Sequence, residues 1–275
     1  IVRNARVAAV GAHASRLVAT YLPPRRKGLR LASAMERWTG RPAESLVARH
    51  QSGYKVMCDL SDDVQRCIFY TGTYEPRLSN LVIGALEPGD TFFDLGANIG
   101  HYSLLAAKRL GSSIFVHAFE PSADTAGKLR DTVAINRLAE LIHVHQVAVA
   151  DHSGLMTLAH PSREVSPVGM RFLDPSGTES GESVRTVRLD EYLVDVIPNV
   201  VKLDVEGAEL RALNGMTKAL EDPRLRCVFA EALDAQLGRF GDSRQKMTMF
   251  MEQYGFVAER IEDRYFAETI RYLRE

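Results

Sequence analysis

Phe92-Phe93-Asp94-Leu95-Gly96-Ala97-Asn98-Ile99-Gly100 decides how the rest of this chain is read. Large apolar residues run into an acid, a glycine-containing turn follows at once, and residues 102–110 have helical spacing. Together these describe a buried parallel strand feeding a helix through a turn. Glycine in such a turn lets the backbone approach a ligand closely, and ligands of open α/β sheets bind at the carboxyl ends of strands where the strand order reverses. A tight strand-to-helix turn without a ligand has the same local pattern. The spacing is not the dinucleotide fingerprint, because Gly96 and Gly100 stand four apart, Asn98 fills the middle and an acid precedes the first glycine.

At 275 residues, the chain is long enough to bury a full core as one elaborated α/β domain with an N-terminal cap over residues 1–75. The formal net charge is −1 and there is no long Lys/Arg run, which weighs against nucleic acid as the main partner. Cys58, Cys67 and Cys227 are too few and too scattered for a disulfide framework or a zinc cluster, so a reducing, cytoplasmic setting is expected. No apolar stretch is long enough to span a membrane. Position 1 is Ile, so a removed leader stays open. The sequence leaves the oligomeric state open, a homodimer being one option.

In chain order, residues 1–22 have amphipathic helical spacing and Pro23-Pro24 stops it. The basic run Arg25-Arg26-Lys27 reads as a solvated loop. Short helices are expected over 31–38 and 43–50, a strand of period two over 54–60, and an apolar element over 64–70. Gly72-Thr73-Tyr74-Glu75-Pro76 forms a turn before a helix over 77–86. A second buried strand, Ser113 to Phe119, ends at Glu120-Pro121, where a carboxylate suits a pair of ribose hydroxyls. A helix over 123–135 and a third strand over 141–150 follow. Asp151 suits an adenine amino group, and equally a turn before His152-Ser153-Gly154. Residues 152–185 break the rhythm with Ser, Gly and Pro, and are expected to be an acceptor lid or an antiparallel flap.

The fourth strand carries Lys202, Asp204 and Glu206 at period two, which puts three ionisable groups on one face of a buried strand. Such an arrangement is expensive unless the groups pair or work. A helix over 208–220, a fifth strand over 225–229 ending at Glu231, a helix over 242–254 and strands over 255–261 and 269–273 complete the chain.

The D-x-G-x-x-x-G turn resembles the first motif of class I S-adenosylmethionine (SAM) methyltransferases. With Phe119-Glu120-Pro121, Lys202-Leu203-Asp204-Val205-Glu206-Gly207-Ala208-Glu209, Glu231 and the turn at Glu75, the chain resembles the FkbM family of these enzymes over residues 54–231. The resemblance implies a Rossmann-like α/β fold with a mostly parallel seven-stranded sheet, helices on both faces and SAM as cofactor. It also implies O-methylation of a sugar, lipid or polyketide-type natural product, so the expected partner is a small-molecule or glycan acceptor. Glu75, Asp94, Gly96, Ala97, Asn98, Gly100, Glu120, Pro121 and Asp151 are the expected cofactor contacts. Taking the proton of a hydroxyl needs a carboxylate or His in hydrogen-bond reach. Asp204, Glu206 and Glu231 are therefore the catalytic candidates, with Lys202 holding one of them ionised. His101 reads first as a helix-start residue, exposed or bonded to backbone, and only second as a base. No metal ligand is assigned, although clustered carboxylates are able to bind Mg²⁺. A nucleic-acid 2′-O-methyltransferase, a NAD-dependent oxidoreductase and a decayed, non-catalytic fold are the rival readings.

Overall fold

A computed structural model describes residues 10, 12, 14, 36, 45–159, 171–261 and 268–275. The chain divides into two compact units, Ile1–Pro76 and Arg77–Glu275. The expected helices over 1–22 and 31–38 lie almost wholly outside the described residues, but residues 10, 12, 14 and 36 are helical.

In the first unit, β1 (Leu46–Arg49) and β2 (Lys55–Cys58) pair as an antiparallel hairpin, Leu46 opposite Cys58. This corrects the helix expected over 43–50. Four residues satisfy either period, and the cross-strand partner decides between them. Asp62 caps the helix Asp63–Thr71 by accepting from the Gln65 N–H at 2.9 Å. Tyr70 donates to Glu36 Oε1 at 2.9 Å. Glu75 is buried, with a left-handed φ of 39°.

The second unit is built on a seven-stranded sheet. Its strands are β3 (Thr91–Leu95), β4 (Phe115–Phe119), β5 (Ile142–His145), β10 (Val200–Leu203), β11 (Cys227–Glu231), β12 (Phe256–Ile261) and β13 (Thr269–Arg274). They lie in the order β12-β13-β11-β10-β3-β4-β5. The five strands from β11 to β5 are parallel, and β13 joins antiparallel between β11 and β12. The central strands are mostly apolar and buried along almost their whole length, as strands covered on both faces must be, with Asp94, Lys202 and Glu231 as their charged residues. The chain winds from β3 out to β5, returns to β10 and winds outward the other way. Right-handed crossovers therefore place helices on opposite faces, and the strand order reverses between β3 and β10. This is the Rossmann-like α/β sheet expected.

The segment after β5 forms a sheet of its own. β6 (Ala148–Val149), β7 (Gly154–Ala159), β8 (Phe172–Asp174) and β9 (Gly181–Val187) lie in the order β6-β9-β7-β8, with β7 antiparallel to both neighbours. Its small core of Leu158, Leu173 and Val184 packs on Ala208 and Val205, just beyond the end of β10. The described part is thus a sheet docked beside the switch point.

Candidate active site

The turn after β3 is shaped by what crowds it. At Gly96, φ is 79° and a Cβ would fall 1.8 Å from the Asp204 carbonyl oxygen, so the turn lies directly against the end of β10. The Gly96 and Ala97 N–H groups both donate to the Phe119 carbonyl, at 3.0 and 2.9 Å, which ties the turn to the end of β4. Asn98 adopts a left-handed φ of 50°, and its side-chain Oδ1 is buried without a hydrogen-bond partner. Strained residues persist where the surroundings force them, and they cluster at functional sites. Gly100 is the cap residue of the helix His101–Leu110.

Each acid of this half is held by the chain itself. Asp94 Oδ2 accepts from the Ser103 N–H at 3.0 Å and from Ser103 Oγ at 2.6 Å, so it fastens the helix to the strand that precedes it. Burial pushes Asp94 up to about 6, opposed by Ser103 and by Lys202, its register neighbour on β10. Glu120 Oε2 accepts from the Asn98 N–H and Oε1 from the Ser122 N–H, both at 3.0 Å. Burial pushes Glu120 up to about 7 against those two N–H groups and the nearby Arg171. Pro121 follows, half-buried, in the turn.

The other half is arranged differently. Lys202 is 1% exposed; its Nζ lies 3.0 Å from Asp204 Oδ2 and 5.3 Å from the centre of the Tyr102 ring. β10 stops at Leu203 and Glu206 has a left-handed φ of 57°, which corrects the expectation that Lys202, Asp204 and Glu206 share one strand face. A turn, not the pleat, brings Glu206 round. Carboxylate oxygens of Asp204, Glu206 and Glu231 all lie within 4.8 Å of one another. Burial and the neighbouring acids Asp204 and Glu209 push Glu206 up to about 8, and burial with Asp204 and Glu206 pushes Glu231 well above the carboxylate range. Gln236 donates to Glu206 Oε2 at 2.7 Å. Glu209 serves the backbone instead, Oε1 accepting from the Val205 and Gly207 N–H groups at 3.0 and 3.2 Å.

Not every expected residue joins this edge. The Asp151 carboxylate pairs with Arg211 Nη1 at 2.9 Å and with His152 Nδ1 at 2.8 Å, so meeting an adenine would require those pairs to open. His101 does start the helix His101–Leu110, but it is buried with Nε2 2.8 Å from Ser79 Oγ, which corrects the expectation that it is exposed or bonded to backbone. Glu75 belongs to the first unit.

Sequence reading missed Ser103, Gln236, Arg171 and Arg239. Arg171 donates to Ser122 Oγ, and Glu182 Oε1 accepts from the Ala123 N–H at 2.8 Å, which anchors the four-stranded sheet beside Glu120. The next residue, Phe172, lies under the Arg239 guanidinium at 4.2 Å, and Arg239 Nη1 donates to the Glu206 carbonyl at 3.0 Å. Only a Ser nine residues after an acid, as Ser103 is after Asp94, had a local signal, as a first-turn residue of the next helix.

Chemically, the edge offers a glycine turn and a buried carboxylate on one side, and a cluster of three acids with one ammonium on the other. Residues 94–258 match the methyltransferase FkbM domain. The chain is 31% identical over 214 residues to the 31-O-demethyl-FK506 methyltransferase FkbM of Streptomyces tacrolimicus, covering 67% of this chain and 79% of that protein. It is 30% identical over 150 residues to the hexuronic acid methyltransferase AglP of Haloferax volcanii, covering 54% of this chain and 58% of that one. A solved SAM-dependent O-methyltransferase from Thermotoga maritima overlaps 87% of this chain and 81% of its own at 15% identity, with a TM-score of 0.45.

Proposed function

This chain belongs to the FkbM family of methyltransferases, and on that premise we propose that it moves the methyl group of SAM to a hydroxyl of a sugar, glycolipid or polyketide-type acceptor. The observation that carries the reading is the pairing of the Gly96 turn with buried Glu120 at the point where the strand order reverses. The residues present fit the donor. Gly96 leaves no side chain in the turn, Asn98 Oδ1 is a buried acceptor awaiting a donor, and Glu120 has two oxygens for two hydroxyls.

When bound, the sulfonium supplies an activated methyl whose transfer to oxygen is an in-line displacement, governed largely by alignment. Glu120 holds the ribose hydroxyls in this reading, and the backbone of residues 96–100 cradles the amino-acid end. The acid cluster faces the acceptor. As the new C–O bond forms and the C–S bond breaks, the hydroxyl proton passes to a carboxylate, for which Glu206 and Glu231 are the candidates. Lys202 Nζ pairs with Asp204 Oδ2 beside them. The sheet β6–β9, docked beside the end of β10, supplies acceptor selection in this reading. Support for a small-molecule or glycan acceptor comes from the relatives, named for 31-O-demethyl-FK506 and for a hexuronic acid. No helix among the described residues is long and apolar enough to cross a membrane.

The test combines calorimetry with SAM, NAD and a short RNA with transfer of tritiated methyl to a panel of hydroxylated acceptors. Binding of SAM alone and label in an ether stable to mild base are expected. Binding of NAD or RNA in place of SAM overturns the reading.

A further inference from the structure

We infer that Asp204, Glu206 and Glu231 form a binding site for a hard divalent cation of the magnesium or manganese class, set to hold the acceptor oxygen. The last clause rests on the reaction proposed above; the cation site does not.

Three observations converge. The carboxylate oxygens lie within 4.8 Å of one another, and oxygens on opposite sides of such an ion stand roughly 4.2 Å apart for magnesium and about 5 Å apart for calcium. Oxygens on adjacent positions of a magnesium ion stand closer, roughly 3 Å apart, so side-chain rotations on the order of 1 Å are needed to bring all three onto one ion. Charge gives the second argument. Three acids share the Lys202 ammonium, whose Nζ is on Asp204 Oδ2, and the Arg239 guanidinium, whose Nη1 is on the Glu206 carbonyl. Carboxyl groups gathered at one partly buried point are costly unless they are paired, protonated or coordinate a metal.

The third observation concerns buried polar atoms, on one of the acids and on the amide bonded to another, that have no hydrogen-bond partner. Glu231 is 8% exposed, and its Oε2 is buried with no hydrogen-bond partner. Gln236, which is not one of the acids, is 5% exposed and reaches Glu206 Oε2 through its Nε2 at 2.7 Å, while its Oε1 is buried and unpartnered. Amide and carboxylate oxygens are the ligands that hard divalent ions take. A cation here would lie on the acceptor side of the switch point. There it would polarise a bound hydroxyl and orient it, the Lewis-acid role that metal ions serve in catalysis.

The experiment is Mn²⁺ binding to the full chain without acceptor, read by calorimetry and by loss of the free-ion electron paramagnetic resonance signal. One saturable site per chain is expected, weakened at least tenfold in both Glu231→Gln and Asp204→Asn and unchanged in Glu259→Gln, an acid of the distant edge strand β12. Chelation should then stop methyl transfer and added Mg²⁺ restore it. Non-saturating binding up to about 10 mM, weaker than the millimolar sites of extracellular calcium modules, overturns the inference. So does equal binding by parent and Glu231→Gln, or turnover indifferent to chelator; methyl transfer then stands without a metal. A saturable Mn²⁺ site in a chain that labels no acceptor would sink the reaction and keep the site. Should one variant not fold, the other and the parent's chelator response decide.

Discussion

The two sides of the switch point use the same residue type in opposite ways. On the β3–β4 side, Asp94 and Glu120 accept from the N–H groups of Ser103, Asn98 and Ser122, so the chain satisfies its own acids. On the β10–β11 side, Glu231 Oε2 and Gln236 Oε1 have no donor, and Glu206 is held by a single amide. A buried acceptor left unsatisfied costs about 1–3 kcal/mol. The first side holds its acids fixed for a ligand of set shape and leaves the Asn98 side-chain oxygen to meet it. The second gathers acids whose acceptors the chain leaves open.

The largest expected effect comes from the residue where the sides touch. Gly96→Ala puts a methyl group at the Asp204 carbonyl and demands a φ of 79° from a residue with a side chain. Loss of detectable SAM binding and about 2–4 kcal/mol of stability are expected by calorimetry, the range of a severe steric and backbone change. A variant that binds normally would mean the halves are not in contact as described.

Glu120→Ala comes next. Two charge-assisted hydrogen bonds at about 1.5–3 kcal/mol each imply a rise in the SAM dissociation constant of about a hundredfold or more. The acid cluster should be untouched, so a parallel loss of Mn²⁺ binding would break the separation of the two sides.

A smaller effect separates them by pH. Glu120, which burial raises to about 7 against the Ser122 and Asn98 N–H groups, with Arg171 lowering and Glu182 raising it further, is an acceptor on both oxygens only when ionised. SAM affinity should therefore be full above pH 8 and fall about tenfold by pH 6, one unit below that value. Titrations across this range should be flat for Glu120→Gln.

The smallest effect has the opposite sign to the others. Burial and the neighbouring acids raise Glu231 in the folded chain, so its ionisation favours the unfolded state. Its stabilising protonated form holds at low pH, and stability falls as pH rises from the ordinary carboxylate value through the raised one. With chelator present, Glu231→Gln should be more stable than the parent at pH 8 by on the order of 1 kcal/mol, and equal to it near pH 4. Thermal unfolding at both pH values measures this. Destabilisation at pH 8 would show Glu231 to be a satisfied structural group.

Much of this was legible. The Gly96 turn, Glu120 at the next strand end and the Lys202–Glu209 block carried both the sheet and the family, because each places a special residue at a fixed distance along the chain. Contacts across long stretches of sequence were hidden. The helix expected over 208–220 is broken into Glu209–Asn214 and Thr217–Glu221 at Gly215. A Cβ at Gly215 would lie 2.0 Å from the Ala150 carbonyl, sixty-five residues away in the chain. Asp151, which reads equally as an adenine contact or a turn former, pairs with Arg211, sixty residues further along the chain. The strand face assigned to Lys202, Asp204 and Glu206 failed at a turn that no local pattern marks. Gln236 had no signal at all, since its meaning comes from Glu206.

Arg171 and Phe172 are consecutive, yet one reaches Ser122 beside Glu120 and the other lies under Arg239, which holds Glu206. Neighbouring residues of extended chain point to opposite sides, so a shift at either side chain moves the backbone of the other. Bisubstrate kinetics should then be sequential with a compulsory order, donor before acceptor. The demethylated donor product should inhibit competitively against SAM and non-competitively against the acceptor, and Phe172→Ala should relax the order toward random.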